Sequence, residues 1–190
     1  MEVSEARTLA RTALSDERFC HTECVAAAAI ELAERFGEDI KKAEVAALLH
    51  DIVKELPKAD LLQMIKASDI IGLDNLEDCS SVWHAHAGAV YARDILGIGA
   101  DIASAIRYHT TAKADMSLLE KIIFLADYTS ADRDYENVDE VRNILKSREA
   151  SIEALNEALL VALGMQIERL MGEKRQIHLD SIRAYNFLTK

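Results

Sequence analysis

The chain has 190 residues, half of them hydrophobic, and a formal net charge of −11. That is enough apolar material for one core, and the negative excess argues against a general grip on DNA or RNA backbone. No apolar run reaches the ~20 residues that span a bilayer. The start, Met1-Glu2-Val3-Ser4-Glu5, lacks the basic and apolar regions of a signal peptide, and three cysteines suit a reducing compartment, so a cytoplasmic protein is expected.

One proline and seven glycines leave few chain breakers, and no period-two pattern marks a strand, so an all-α fold is predicted. Ser4 is placed to cap a first helix running to about Leu14. Ser15 caps the second, in which Val25, Ala28, Ala29, Leu32, Ala33 and Phe36 recur at helical spacing before the stop at Gly37. A third helix is predicted over 43–54, ending near Pro57, and Asp60 opens a fourth. Residues 69–78 read as an irregular connection. Helix resumes over 79–96, breaks at Gly97 and Gly99, and returns over 102–109. Ser117-Leu-Leu-Glu120 has the form of a capping box and starts a helix containing Asp127. A long apolar stripe follows over 138–171, broken around Lys146-Ser147, and serves either the core or a homodimer surface. A last helix begins near Asp180. With no linker and no internal repeat, residues 1–190 are read as one domain.

The chemistry concentrates in His21, His50-Asp51, His84, His109 and Asp127. Imidazole nitrogens and carboxylate oxygens suit Fe, Mn, Co or Zn, and mixed sets leave coordination positions open. On a helix His50 and Asp51 project about 100° apart, so two metals, or one chelated from adjacent positions, can be served. A lone core histidine is the bland reading of each. Asp127 raises the alternative, because a carboxylate next to Ile122-Ile123-Phe124-Leu125-Ala126 needs compensation, from a metal or from an arginine. Cys20 and Cys24 share a helix face and are read as small buried residues rather than zinc ligands. The acidic run Asp132-Arg133-Asp134-Tyr135-Glu136 resembles a calcium loop but lacks the required glycine and final acid.

Five segments lie in the order of the HD superfamily: Arg18-Phe-Cys-His21-Thr, Leu48-Leu-His-Asp51-Ile-Val-Lys54, His84-Ala-His-Ala-Gly-Ala89, Arg107-Tyr-His-Thr-Thr111 and Leu118-Leu-Glu-Lys-Ile-Ile-Phe-Leu-Ala-Asp-Tyr128. In detail they resemble its YqeK branch, bacterial symmetrical diadenosine-tetraphosphate hydrolases, from about Arg18 to His178. The resemblance implies an HD-domain helical bundle, a divalent transition metal that is commonly iron (Mn or Co being the alternatives), and cleavage of a small-molecule nucleotide into two ADP. Carried over by position, it implies His21, His50, Asp51 and Asp127 as ligands of a first metal. His84 and His109 would serve a second metal or the phosphate, and Asp51, His84 and His109 would be the catalytic set. Arg18, Lys54 and Arg133 fall at nucleotide contacts, and Lys174 and His178 in a segment that closes over the base. Trp83 either stacks on that base or packs against the site wall.

The chain departs from the family at Ala85-His86, Ser130-Ala131 and Leu179. The first departure leaves His84 and His86 as rivals for the inward position, with Gly88-Ala89 favouring His84. Two other functions are compatible with the ligand set: a non-catalytic nucleotide sensor and a di-iron oxygenase.

Overall fold

The described residues form ten α-helices and no strand. The computed structural model describes residues 1–68, 79–134 and 136–190, so the expected connection over 69–78 lies outside the described residues. The helices are α1 (Val3–Ala13), α2 (Asp16–Phe36), α3 (Ile40–Leu49), α4 (Lys58–Ala67), α5 (Trp83–Val90), α6 (Ala100–Tyr108), α7 (Leu118–Thr129), α8 (Val138–Ser147), α9 (Ile152–Gly172) and α10 (Leu179–Leu188).

Several boundaries follow from the local chemistry. Ser15 Oγ accepts from the Arg18 N–H at the start of α2, and Gly37 ends that helix with φ +80°, a conformation that costs glycine little. The capping box of α7 is formed in both directions, Ser117 Oγ accepting from the Glu120 N–H and Glu120 Oε2 accepting from the Ser117 N–H at 2.7 Å. Such a cap is worth about 1 kcal/mol.

Three boundaries differ from expectation. Ser4 is no cap: Glu5 and Ala6 already donate to Glu2 O, and the Ser4 carbonyl accepts from Thr8 Oγ1 inside α1. The third helix stops at Leu49, because three-residue bonds take over, Ile52 N–H to Leu49 O at 3.2 Å and Lys54 N–H to Asp51 O at 2.8 Å. His50 and Asp51 therefore sit in turns rather than on a regular helix. The segment after Cys79 is a 3₁₀ turn, then α5, then a π-type turn over Tyr91–Ile95 closed by Leu96 N–H on Tyr91 O.

At the centre lies α7, with Ile122, Ile123, Phe124, Leu125 and Ala126 all buried, in contact with α2, α3, α6, α8 and α9. Burial of each large side chain contributes about 1.5–3 kcal/mol, which locks the helix and with it Asp127 at its far end. The stripe on α9 (Ala154, Leu155, Ala158, Leu159, Ala162, Leu163) is spent within the chain, against α7, α8 and α10. Gly88 lets α5 approach closely: a Cβ there would meet Ile106 Cγ2 at 3.3 Å and His50 O at 3.6 Å. No helix among the described residues is long and apolar enough to cross a membrane.

Candidate metal and nucleotide site

Five elements deliver one polar cluster into this apolar interior. His21 comes from α2, His50 and Asp51 from the turns after α3, His84 from α5, His109 from the end of α6 and Asp127 from the last turns of α7. Asp51 stands in the middle. Its Oδ1 lies 3.3 Å from His84 Nε2 and 3.5 Å from His109 Nε2, and its Oδ2 lies 3.5 Å from His50 Nε2. His21 Nε2 is 3.1 Å from Asp127 Oδ1. The four histidines and Asp51 are buried, and Asp127 is partly so.

Both rings at Asp51 that leave helix ends are oriented by the backbone. His50 Nδ1 donates to Ala47 O at 2.6 Å, and His109 Nδ1 donates to Ile106 O at 2.7 Å. With Nδ1 as donor, the neutral ring leaves Nε2 as a bare lone pair. Deprotonated, these rings set lone pairs against a carboxylate, acceptor against acceptor. Consistent with this, His50 Nε2 and Asp51 Oδ1 are buried without a hydrogen-bond partner. A buried cluster of acceptors is costly by itself and favourable around a cation, so the donor set fits a metal ion. Two overlapping triads bring ligand atoms within 4.8 Å of one another, His21-His50-Asp127 and His50-Asp51-His109.

Burial disfavours a charged His50, yet Asp51 and Asp127 outweigh it and raise the ring above its ordinary range, so a proton there competes with a metal for the same acceptors. Burial works against ionisation of Asp51, yet His50, His109 and His84 outweigh it and hold its carboxyl well below the usual carboxylate range. Asp127 is also held far down: burial opposes, while the hydrogen bond from His21 and the charges of His50 and Arg133 prevail. Burial pushes His84 well below an ordinary imidazole; Asp51 opposes this and Lys54 adds to it. Ionised carboxylates and a neutral imidazole are the forms that bind metals.

Cations ring the acceptors. Arg18 Nη1 is 3.3 Å from Asp51 Oδ2, Lys54 Nζ is 2.8 Å from His84 Nε2, and Arg133 Nη2 is 2.5 Å from Asp127 Oδ1. The Asp127 carboxylate thus has its arginine. These groups open onto a cleft of about 600 Å³ whose far wall includes Arg175, Gln176 and His178. Gln166 of α9 donates to Thr110 O at 2.9 Å and Ser181 of α10 to Thr111 O at 2.8 Å, so the two C-terminal helices hold the segment after His109.

His84 faces the cluster, whereas His86 Nδ1 donates to Val82 O at 3.1 Å and its ring lies 5.6 Å from that of His178. Two residues named for nucleotide contact, Trp83 and Lys174, do not line the cleft. Trp83 is packed in the hydrophobic core, because α5 turns its first residue inward, and it does not line the cleft. Lys174 is exposed in a left-handed turn (φ +54°) that directs Arg175 and Gln176 to the cleft in its place. The cysteine expectation is also corrected: Cys20 is exposed and Cys24 half-buried, on a side groove between α2 and α8. Asp132, which the sequence offered only as part of a rejected calcium loop, has a different partner: its Oδ2 accepts from His21 Nδ1 at 2.7 Å across 111 residues. Nothing local announces such a pairing.

The HD domain model matches residues 18–132, which contain every member of the acceptor cluster. The chain belongs to the HD domain family. Over 189 residues it is 38% identical to a symmetrical bis(5'-nucleosyl)-tetraphosphatase of Bacillus subtilis (strain 168), covering 99% of this chain and 98% of the relative. It is 37% identical over the same length to the protein of that name from Halalkalibacterium halodurans, covering 99% and 97%. The fold is similar to the crystal structure of a "predicted HD superfamily hydrolase involved in NAD metabolism" from Clostridium acetobutylicum, with a TM-score of 0.89 and 31% identity, covering 100% of this chain and 97% of the other. In this HD chain α8, α9 and α10 follow the matched region, and α9 and α10 contribute residues to the cleft wall.

Proposed function

We propose that the chain is a metal-dependent phosphohydrolase that cleaves diadenosine tetraphosphate into two ADP. One observation carries the reading: a buried His and Asp acceptor cluster opens into a cleft rimmed by Arg18, Lys54 and Arg133. Whole-length similarity to relatives named symmetrical bis(5'-nucleosyl)-tetraphosphatases supports the substrate. His21, His50, Asp51 and Asp127 would hold a divalent transition metal, iron first and manganese or cobalt as substitutes, with His84 and His109 available to a second ion or to phosphate. When bound, such a metal acidifies water and polarises phosphoryl oxygens.

The remaining work falls to the chain's own groups. Arg18, Lys54 and Arg133 neutralise the polyphosphate and fix which phosphorus meets the attacking water. Burial pulls the Lys54 ammonium below its ordinary range despite Asp51 and Asp127, so its charge acts in a poorly screened setting. His109, beside Asp51, is read as positioning the leaving group or holding a second ion. Water's oxygen bonds to the second phosphorus from one adenosine, the bridging P–O bond to the other half breaks, and that half leaves as ADP.

The test incubates the full chain with iron, manganese or cobalt and diadenosine tetraphosphate in water labelled with heavy oxygen. ADP should be the sole product, with one label on the terminal phosphate of one ADP in each pair. Equimolar AMP and ATP would remove the symmetrical cut. Tight ADP binding without turnover under any metal would point to a nucleotide sensor.

A further inference from the structure

We infer that Asp132 is the positioning residue for His21, setting the direction in which that imidazole presents Nε2 to the site, beside Asp127 and Arg133. The inference rests on the reading of His21 as a metal ligand. His50 and His109 are oriented by backbone carbonyls, which no substitution deletes. His21 lies inside α2, and its Nδ1 is held by a side chain, Asp132 Oδ2, at 2.7 Å, while Nε2 faces Asp127 Oδ1 at 3.1 Å. A carboxylate on one ring nitrogen selects the tautomer with the lone pair on the other and raises its basicity toward a cation.

Asp132 is itself held in place. Burial opposes ionisation of its carboxyl, yet the neighbouring Ser130 and His21 side chains hold it below the usual range, and Cys24, one turn along α2 from His21, also lies beside it. The backbone around it is clamped from α8: Arg142 Nη2 donates to Ser130 O at 2.7 Å and to Arg133 O at 2.8 Å, and its Nε donates to Thr129 O at 3.1 Å. The Arg133 N–H closes the turn on Ser130 O at 3.0 Å. An exposed acid (its side chain 33% accessible) clamped this thoroughly, with its one short bond to a buried ring, acts on that ring rather than on solvent.

The test measures cobalt affinity by competition with a chromophoric chelator, together with the visible ligand-field spectrum of the cobalt-loaded protein, on the full chain. Asp132→Ala should bind cobalt about 10–100-fold more weakly than wild type, the range of lost outer-sphere partners. Its spectrum should change while the melting temperature of the metal-free protein stays close to wild type. Asp132→Asn keeps an acceptor without the charge and should fall between the two, so the inference stays testable if the alanine variant folds poorly. Wild-type affinity and an unchanged spectrum in both variants, with cobalt lost in His21→Ala, would overturn the positioning role alone. If His21→Ala itself keeps wild-type affinity, the ligand reading fails and the positioning role falls with it.

Discussion

His50 and His109 stand edge to face, ring centroids 4.9 Å apart and planes at 86°, and both aim Nε2 at the carboxylate of Asp51. Each ring is fixed by donating Nδ1–H to the carbonyl three residues earlier, at a point where a helix has just ended. Helix ends leave carbonyls short of their usual i+4 partners; the Ala47 carbonyl takes the His50 N–H at 3.4 Å as well as the ring, and both carbonyls serve as rigid orienters.

Metal retention is the first consequence. Freshly purified protein should carry about one or two transition-metal ions per chain, judged from the ligand count. His50→Ala or Asp51→Ala should abolish it while helical circular dichroism persists. Elemental analysis that finds no metal in wild type, and none after supplying Fe, Mn or Co, would rule out the centre.

The two halves of the site should separate. His84→Ala and His109→Ala should lower turnover by about 100-fold or more while the metal of His21, His50, Asp51 and Asp127 stays bound. His86→Ala should cost about 2 kcal/mol of stability, through its lost bond to Val82 O and the cavity left behind, with turnover within a few-fold of wild type. Steady-state kinetics beside urea unfolding distinguishes the cases, and a silent His84→Ala with a dead His86→Ala would refute the assignment.

Acid should act through His86. Burial lowers its pKa from 6.5 to about 4, with Arg107 adding to the effect and the Val82 carbonyl opposing it. Above pH 6.5 the ring is neutral both folded and unfolded, so no penalty exists. As pH falls from 6.5 to about 4 the unfolded chain takes the proton first, and stability is lost, by about 3 kcal/mol at the limit. Urea titrations of metal-free wild type and His86→Gln should therefore converge by about that amount between pH 7 and pH 4. Parallel curves would contradict the prediction.

Gly88 should resist enlargement. Val53 Cγ2 lies 3.7 Å from a hypothetical Cβ, in addition to Ile106 at 3.3 Å and the His50 carbonyl at 3.6 Å, so a Cβ is already in contact and further carbons would press on these neighbours. Gly88→Val should cost about 1–3 kcal/mol and weaken turnover, because α5 carries His84 and moves with it. A thermal midpoint equal to wild type would show that the α5 packing has more room than these distances allow.

Much of this was legible from residues alone. Apolar spacing at 3.6 residues and the caps at Ser15, Gly37 and Ser117 depend on neighbours a few positions apart, so the helices they bound were predictable. The segments around His21, His50-Asp51, His84, His109 and Asp127 marked the candidate cluster for the same reason, each being a local pattern. Tertiary structure alone decided which groups meet. It ended the third helix at Leu49 and turned His50 and Asp51 into the site, brought His84 rather than His86 to Asp51, buried Trp83 and left Lys174 outside the cleft. It also brought Asp132 to His21 and Arg142 to the turn that holds it. Those contacts span long stretches of chain, and their partners are chosen by how the helices pack around α7, a property of the assembled core that no local pattern encodes.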